Sequence, residues 1–159
     1  MDKFLPFLEK FASELTAKYS LPVSFNPEDQ LKSPVESLIK NLGNLLNLEI
    51  EPLTEVPVVE LGGRPDIGIT VKSLITGYIE LKAPGKGANT AKLQGPDKKQ
   101  WEKFKDLPNL IYTDGNDWAL YRSGKLVGKI IRFSGDVTSQ GKKAIDVNDA
   151  KQLFDLLYV

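Results

Sequence analysis

The stretch LGGRPDIGITVKSLITGYIELKAPGKG, residues 61–87, decides the expected fold because it contains two apolar runs separated by a short polar segment. Asp66–Val71 and Leu74–Leu81 are rich in isoleucine and valine and have the length of β-strands. A connection this short allows only antiparallel pairing of neighbouring strands. We therefore expect a hairpin that is symmetric about Ser73 and closed by a three-residue loop.

The predicted register gives this hairpin one apolar face and one polar face, because successive strand residues point to opposite sides of a sheet. Asp66 then lies directly opposite Glu80 on the polar face, and Lys82 follows on the same side. Opposed side chains are about 4.5–5.5 Å apart at Cβ, so two carboxylates placed in this way repel unless a cation lies between them. The apolar face is expected to collect Ile67, Ile69, Val71, Ile75 and Ile79.

Two interpretations of the polar face remain open. A hard divalent cation suits paired carboxylates, because Mg²⁺ prefers one or two carboxylates together with water and phosphate oxygens. Lys82 would then orient a water molecule and offset developing negative charge. Alternatively, the face is an ordinary solvated surface. The triplet acid-x-Lys decides little, since it occurs three times, at Glu80, Asp97 and Asp149, but only the first ends an apolar strand.

The composition excludes several other mechanisms. The 159 residues contain no His and no Cys. Triads with an imidazole base, histidine-ligated metals, thiol nucleophiles and zinc ribbons are therefore impossible. The absence of Cys and of a signal peptide or apolar span predicts a soluble cytoplasmic domain. Hydrolysis would have to rely on carboxylates, lysine and an oxygen-ligated metal.

The net charge of zero conceals an uneven distribution along the chain. Residues 1–81 carry 12 acidic and 7 basic side chains (−5), residues 82–105 carry 2 and 7 (+5), and residues 106–159 carry 7 and 7 (0). A basic surface is the usual basis of nucleic-acid affinity. The short cationic segment therefore keeps DNA binding open despite the neutral total.

The rest of the chain predicts helices and short strands around the hairpin. Helices are expected at residues 2–19, from Ser33, at about 96–106 and after Asn148, and further strands at Val56–Leu61, Leu110–Thr113, Trp118–Arg122 and Lys125–Phe133. Ser33-Pro34-Val35-Glu36 has the pattern of a capping box. The loop Pro84–Gly95 is rich in Gly and Lys, and its Gly85-Lys86-Gly87 segment either offers backbone N–H groups to a phosphate or is simply flexible.

Pro65-Asp66, a 13-residue gap and Glu80-Leu81-Lys82 resemble the signature of the PD-(D/E)xK nuclease superfamily. The strings RPDIGI, GYIELKAPGKG, QWEKF and LPNLIYTDGNDWALYR resemble the amino-terminal nuclease domain of restriction-modification enzymes that also carry an adenine-specific DNA methyltransferase. The likeness implies an α/β (α+β) fold with a restriction-endonuclease-like core, that is, a central mixed sheet flanked by helices.

The resemblance also implies roles for particular residues. Asp66, Glu80 and the Leu81 carbonyl would bind Mg²⁺, with Mn²⁺ as a substitute, and Lys82 would be the catalytic lysine. Gln100 matches the glutamine of the Gln-x-x-x-Tyr motif in RecB-like members, where Phe104 replaces the tyrosine. Such nucleases also place an acid on the preceding helix. Glu36 is therefore a possible additional acid, although its position in the capping box favours a structural role.

The expected substrate is double-stranded DNA. Its backbone would be held by the lysines of the cationic segment, namely Lys86, Lys92, Lys98, Lys99, Lys103 and Lys105. The family implies methyltransferase and target-recognition modules in the same polypeptide, so residues 1–159 are expected to form one nuclease-like domain at its amino-terminal end. Cutting both strands would require two active sites, hence a transient dimer. The competing hypothesis is a catalytically silent module of the same fold that positions DNA or docks another protein.

Overall fold

The computed structural model describes residues 3–22, 26–55 and 63–158, which form four α-helices and one six-stranded sheet. The helices are α1 (Leu5–Tyr19), α2 (Lys32–Leu45), α3 (Gly95–Phe104) and α4 (Val147–Tyr158). The strands are β1 (Ile50–Thr54), β2 (Ile67–Val71), β3 (Leu74–Leu81), β4 (Leu110–Thr113), β5 (Asp117–Arg122) and β6 (Lys125–Arg132). Among these described helices, none is long and apolar enough to cross a bilayer.

The strands lie in the sheet in chain order, from β1 to β6. All neighbours are antiparallel except β3 and β4, which run parallel because α3 crosses over between them. The sheet is therefore mixed, and helices flank it. This architecture confirms the predicted α+β fold with a restriction-endonuclease-like core.

Apolar side chains cover both faces of the sheet. On one face, β-strand residues such as Ile79 and Leu81 pack with the apolar sides of α1, α2 and α4. On the other face, Trp101 and Phe104 of α3 pack with strand residues that include Tyr112. Because strand side chains alternate, Glu80 and Lys82 lie on the α3 side. Near the end of β3, the polar face predicted for the hairpin is thus buried beneath α3.

The β2–β3 hairpin reaches the predicted pairing near Asp66 by a different route. A two-residue turn replaces the expected three-residue loop, and both of its residues, Lys72 and Ser73, have positive φ (53° and 68°). A bulge at Thr76 then shifts the register by one residue, so that Ile67 pairs with Ile79. Continued by one residue, this register places Asp66 opposite Glu80 as predicted. Towards the turn the prediction fails, because Ile75 is 43% exposed instead of packed inward.

The capping box predicted at Ser33 is wrong. A 3₁₀ turn at Asp29–Leu31 runs directly into α2, which begins at Lys32 without a side-chain cap. The Lys32 N–H donates to the Asp29 carbonyl, so the preceding turn already supplies acceptors where a cap would be needed. Glu36 lies within the helix, and its Oε2 accepts a hydrogen bond from Thr54 Oγ1 (3.1 Å).

The other elements differ from prediction mainly at their ends. The strand β1 was not predicted, and the predicted strand Val56–Leu61 lies outside the described residues. A reciprocal cap does occur before α4, where the Asp146 and Asp149 side chains each accept from the other residue's N–H (2.8 and 3.0 Å). Helix α4 therefore begins at Val147, slightly earlier than expected.

Candidate active site

Asp66 and Glu80 are held together by hydrogen bonds between adjacent chain segments. The Asp66 N–H donates to Glu80 Oε1 (3.2 Å), and the Leu81 N–H donates to Asp66 Oδ2 (2.8 Å). Glu80 is buried, with 1% of its surface exposed, and Asp66 is half-buried. Both carboxylates thus have fixed positions at the end of β3, as the hairpin register predicts.

A third carboxylate joins this pair from a distant part of the sequence. Glu28, Asp66 and Glu80 each place a carboxylate oxygen within 4.8 Å of the others, the one such acidic group among the described residues. Glu28 immediately precedes the 3₁₀ turn that leads into α2. Glu36 was considered as a possible additional acid, with a structural role favoured, and it is not in this cluster. Nothing in the local sequence distinguishes Glu28, because only packing brings its loop to the sheet.

The cluster fits a hard divalent cation. Mg²⁺ binds oxygen at about 2.0–2.1 Å, so oxygens on opposite sides of the ion are about 4.2 Å apart. Oxygens already within 4.8 Å of one another need only small side-chain movements to reach that spacing. All three donors are carboxylate oxygens, the ligand type that Mg²⁺ and Mn²⁺ favour. The Leu81 carbonyl remains a predicted further ligand.

The electrostatics of the cluster also favour a cation. Burial and, to a smaller extent, the neighbouring Asp66 carboxylate raise the pKa of Glu80 to about 8, although Lys82 partly opposes both effects. Burial likewise raises the pKa of Glu28 above its ordinary value. Carboxylates crowded in a buried site resist ionisation unless positive charge compensates them. A divalent cation would supply that charge.

Lys82 lies beside the carboxylates and is buried, with 1% of its surface exposed. Its ammonium nitrogen Nζ is 2.9 Å from Asp97 Oδ1, 2.9 Å from Gln100 Oε1 and 3.7 Å from Glu80 Oε2. Asp97 and Gln100 both project from the first turns of α3. A charged group buried to this degree requires such partners, because removing it from water is costly.

Asp97 is a second site residue, after Glu28, that the sequence did not single out. It begins one of the two acid-x-Lys triplets that do not end a strand, yet it pairs with Lys82, the lysine of the triplet that does. Its second oxygen, Oδ2, is 3.2 Å from Lys86 Nζ. The hydrogen bond from Lys82 lowers the pKa of Asp97 below its usual value. One signal for Asp97 was available in the sequence, since it lies in the first turn of the helix that follows β3.

The other residues predicted for the site are Gln100 and the lysines of the cationic segment. Gln100 contacts Lys82 directly, whereas Trp101 and Phe104 are core residues. The lysines of the cationic segment lie near the site on the glycine-rich loop and on α3 or just after it. Most are exposed, but Lys86 is paired with Asp97, and Lys105 with Glu102 (2.9 Å). Within the described part of the chain, the exposed members that form no ion pair are Lys92, Lys98, Lys99 and Lys103.

The backbone of the glycine-rich loop does not offer its N–H groups to a ligand. The Gly85 and Gly87 N–H groups donate to Asp114 Oδ2 (3.1 and 2.8 Å). The Tyr121 hydroxyl donates to the Ala88 carbonyl (2.8 Å) and accepts from the Thr90 N–H (3.1 Å). The loop is therefore attached to β5 and to the turn before it, and neither alternative considered from the sequence describes it.

Comparisons with known proteins place the fold. No family model matches the chain, and no curated protein is significantly similar in sequence. Among solved structures, the chain is similar to one in the cryo-EM structure of a DrdV–DNA complex, with a TM-score of 0.62 and 20% identity. The alignment covers 97% of this chain and 96% of that chain. A likeness at this identity establishes a shared fold over nearly the whole length.

Proposed function

We propose that this chain is a Mg²⁺-dependent endonuclease domain that hydrolyses phosphodiester bonds in double-stranded DNA. The observation that carries the proposal is the convergence of three carboxylates within 4.8 Å beside a buried lysine. The similar chain of known structure belongs to a complex with DNA, which supports DNA as the substrate. The resemblance of the sequence motifs to PD-(D/E)xK nucleases points to the same reaction.

Asp66, Glu80 and Glu28, together with the Leu81 carbonyl, would hold the metal. A bound Mg²⁺ would polarise a phosphodiester oxygen and lower the pKa of a water molecule, with Mn²⁺ able to substitute. Asp66 is prepared for this role because the Leu81 N–H fixes one of its oxygens. Glu80 is buried, so bulk solvent would screen its attraction for the metal only weakly.

Lys82 would act on the substrate rather than on the fold alone. Its ammonium group is held by Asp97 and Gln100 at a distance of 3.7 Å from Glu80. A phosphate bound over the carboxylates would therefore lie within reach of a fixed positive charge. From that position Lys82 would orient the attacking water and offset the negative charge that develops on the phosphate. Gln100 would act through Lys82 as a positioning residue.

The exposed lysines of the cationic segment would hold the DNA. Contacts from Lys86, Lys92, Lys98, Lys99, Lys103 and Lys105 to phosphates provide affinity but no sequence information. Sequence choice would then come from target-recognition and methyltransferase modules in the same polypeptide, as in restriction-modification enzymes. In that arrangement the chain would be the amino-terminal nuclease domain, and two copies would meet transiently to cut both strands.

The experiment compares the wild type with Lys82→Ala on plasmid DNA, in Mg²⁺, in Mn²⁺ and in chelator. Lys129→Ala is a matched control, because Lys129 is an exposed lysine on β6 near α4 and away from the carboxylates. We expect metal-dependent cleavage by the wild type and the control and none by Lys82→Ala. Equal cleavage by Lys82→Ala, or no cleavage even in the complete polypeptide, would contradict the proposal.

One observation favours a second candidate function. The Lys82 ammonium already has a carboxylate partner at 2.9 Å in Asp97, as in a structural ion pair. A catalytically silent module would keep this pair and use the surrounding lysines to position DNA or to dock a protein. It would bind duplex DNA equally with and without Mg²⁺ and leave it intact. The plasmid assay, combined with a binding measurement, separates the two functions.

A further inference from the structure

A polar pocket lies beside the candidate active site, between the glycine-rich loop and the end of β6. Its lining includes Lys86, Lys92 and Arg132, together with Asp114 and Asp117, which leaves a net charge of +1. We call it the glycine-loop pocket. Its volume of about 420 Å³ is many times the roughly 30 Å³ that one water molecule occupies in the liquid. The pocket can therefore admit a charged group larger than water.

The two carboxylates of the pocket are already satisfied by the protein. Asp114 accepts four backbone N–H groups, from Gly85, Gly87, Asn116 and Asp117. Asp117 is buried and pairs with Arg132, which donates from Nε to Oδ1 (2.9 Å) and from Nη2 to Oδ2 (2.8 Å). The acidic groups therefore act within the protein, Asp114 on the backbone of the loop and of the following turn and Asp117 on Arg132.

Arg132 is both fixed and accessible. Its bidentate pair with Asp117 holds the guanidinium plane in one orientation, yet 75% of its side chain is exposed. A guanidinium has five N–H donors, and this pair uses two of them. The remaining donors are already oriented, which reduces the entropy lost when an oxyanion binds. Phosphate suits such a guanidinium group, because two of its oxygens can each accept one of the parallel N–H groups.

The pocket is connected to the candidate active site by two ion pairs. Lys86, which lines the pocket, contacts Asp97 at 3.2 Å, and Asp97 contacts Lys82 at 2.9 Å. Lys86 thus belongs both to the pocket and to the chain of ion pairs that ends at Lys82, so the pocket adjoins the candidate active site and is the nearby place for a second phosphate of a bound strand. Resting on the proposed function, we propose that Arg132 binds a phosphate of the DNA backbone beside the cleavage position.

With Arg132, the proposed DNA-binding surface extends beyond the cationic segment. Residues 82–105 were expected to supply all backbone contacts, whereas Arg132 belongs to the last strand. Pairing of β5 with β6 places it opposite Asp117, and Asp117 lies next to the glycine-rich loop. The contact is therefore a product of the sheet topology.

The test is the salt dependence of binding to a duplex of random sequence, measured by fluorescence anisotropy in chelator, where the proposed chemistry is stopped. Each phosphate contact contributes about 0.9 to the slope of log K against log salt. We expect Arg132→Gln to lower that slope by about 0.9. Between 50 and 200 mM salt the variant would then lose about 3.5-fold less affinity than the wild type. Lys129→Gln, on the same strand but near α4, should leave the slope unchanged.

Two further variants keep the test decisive. Arg132→Lys retains the charge and should retain the slope. If Arg132→Gln fails to fold because Asp117 is left unpaired, the double variant Arg132→Gln/Asp117→Asn removes both charges and should show the same reduced slope. A folded Arg132→Gln protein with the wild-type slope would overturn the inference, as would a wild type that does not bind duplex DNA. The plasmid assay with Lys82→Ala decides the proposed function independently of either result.

Discussion

Lys82 Nζ and Asp97 Oδ1 are 2.9 Å apart, although the lysine directly follows strand β3 and the aspartate lies in the first turn of helix α3. The pair attaches α3 to the candidate active site. It also determines where the lysine charge lies relative to Glu80, which is 3.7 Å away. The position of α3 on the sheet is therefore part of the chemistry proposed for this site.

Replacing Asp97 with Asn should reduce cleavage without preventing substrate binding. The substitution keeps the shape of the side chain but removes the charge that holds Lys82, and displacement of a catalytic group by about 1 Å can cost on the order of 10²-fold in rate. We expect a fall of about that size in single-turnover cleavage, with little change in DNA affinity. Asp97→Glu should recover part of the rate. A variant as active as the wild type would show that Asp97 does not position Lys82.

The same pair should contribute to stability. Lys82 is buried, and Asp97→Asn removes the carboxylate that lies closest to its ammonium group, so we expect a loss of about 1–3 kcal/mol in the free energy of unfolding. Lys86→Gln removes only the ion pair between the exposed Lys86 and Asp97 Oδ2. Surface ion pairs contribute about 0–1 kcal/mol, so this control should change stability little. Urea titration of both variants measures the difference, and equal losses would contradict the interpretation.

Metal binding should depend on Glu28 and not on Glu36. A ligand that binds only the folded state stabilises it by about 2.7 kcal/mol at 100 times its Kd. We expect Mg²⁺ to raise the Tm of the wild type and of Glu36→Gln, and to raise that of Glu28→Gln much less. Differential scanning fluorimetry over a range of Mg²⁺ concentrations provides the measurement. A Glu36→Gln protein that loses the response while Glu28→Gln keeps it would reverse the assignment.

The stability of the metal-free protein should fall as the pH rises from about 4.5 to about 8. Burial raises the pKa of Glu80 to about 8 from its ordinary value of 4.5. In that interval the folded protein keeps a proton that the unfolded chain has released, so the free energy of unfolding decreases with pH and levels off above about 8. The chain has no His, which would otherwise titrate in the same window.

The control for this pH effect is Glu80→Gln, which cannot titrate. Its unfolding midpoint, measured in chelator between pH 5 and pH 9, should depend much less on pH than that of the wild type. If the two proteins have parallel profiles, the Glu80 carboxyl is not responsible.

Two buried tyrosines should respond differently to loss of the hydroxyl group. Tyr121 links to both Ala88 and Thr90, so Tyr121→Phe loses two buried hydrogen bonds and should destabilise the protein by about 1–3 kcal/mol. The buried Tyr112 hydroxyl has no hydrogen-bond partner in the described part of the chain, so Tyr112→Phe should be neutral or stabilising. Thermal unfolding of the two variants tests this contrast, and equal losses would contradict it.

The sequence by itself determined the strands of the central hairpin and the pairing of Asp66 with Glu80. Both follow from local properties, namely the lengths of the apolar runs and the two-residue period of a strand. The predicted loop was one residue too long, but the bulge at Thr76 restored the same register at the site. The composition also limited the chemistry to carboxylates, lysine and an oxygen-ligated metal, because imidazole and thiol groups are absent.

Only the tertiary structure decided which other groups meet at that pair. Glu28 lies in the loop before α2 and Asp97 lies in α3, and both are brought to the candidate active site. Arg132 of β6 is brought to the adjacent pocket. Such contacts depend on how helices pack across a sheet, and no local periodicity encodes them. The capping box at Ser33 failed for a related reason, because the preceding 3₁₀ turn runs directly into α2. Spacing along a strand is set by backbone geometry, whereas convergence of distant carboxylates is set by the packing of the whole core.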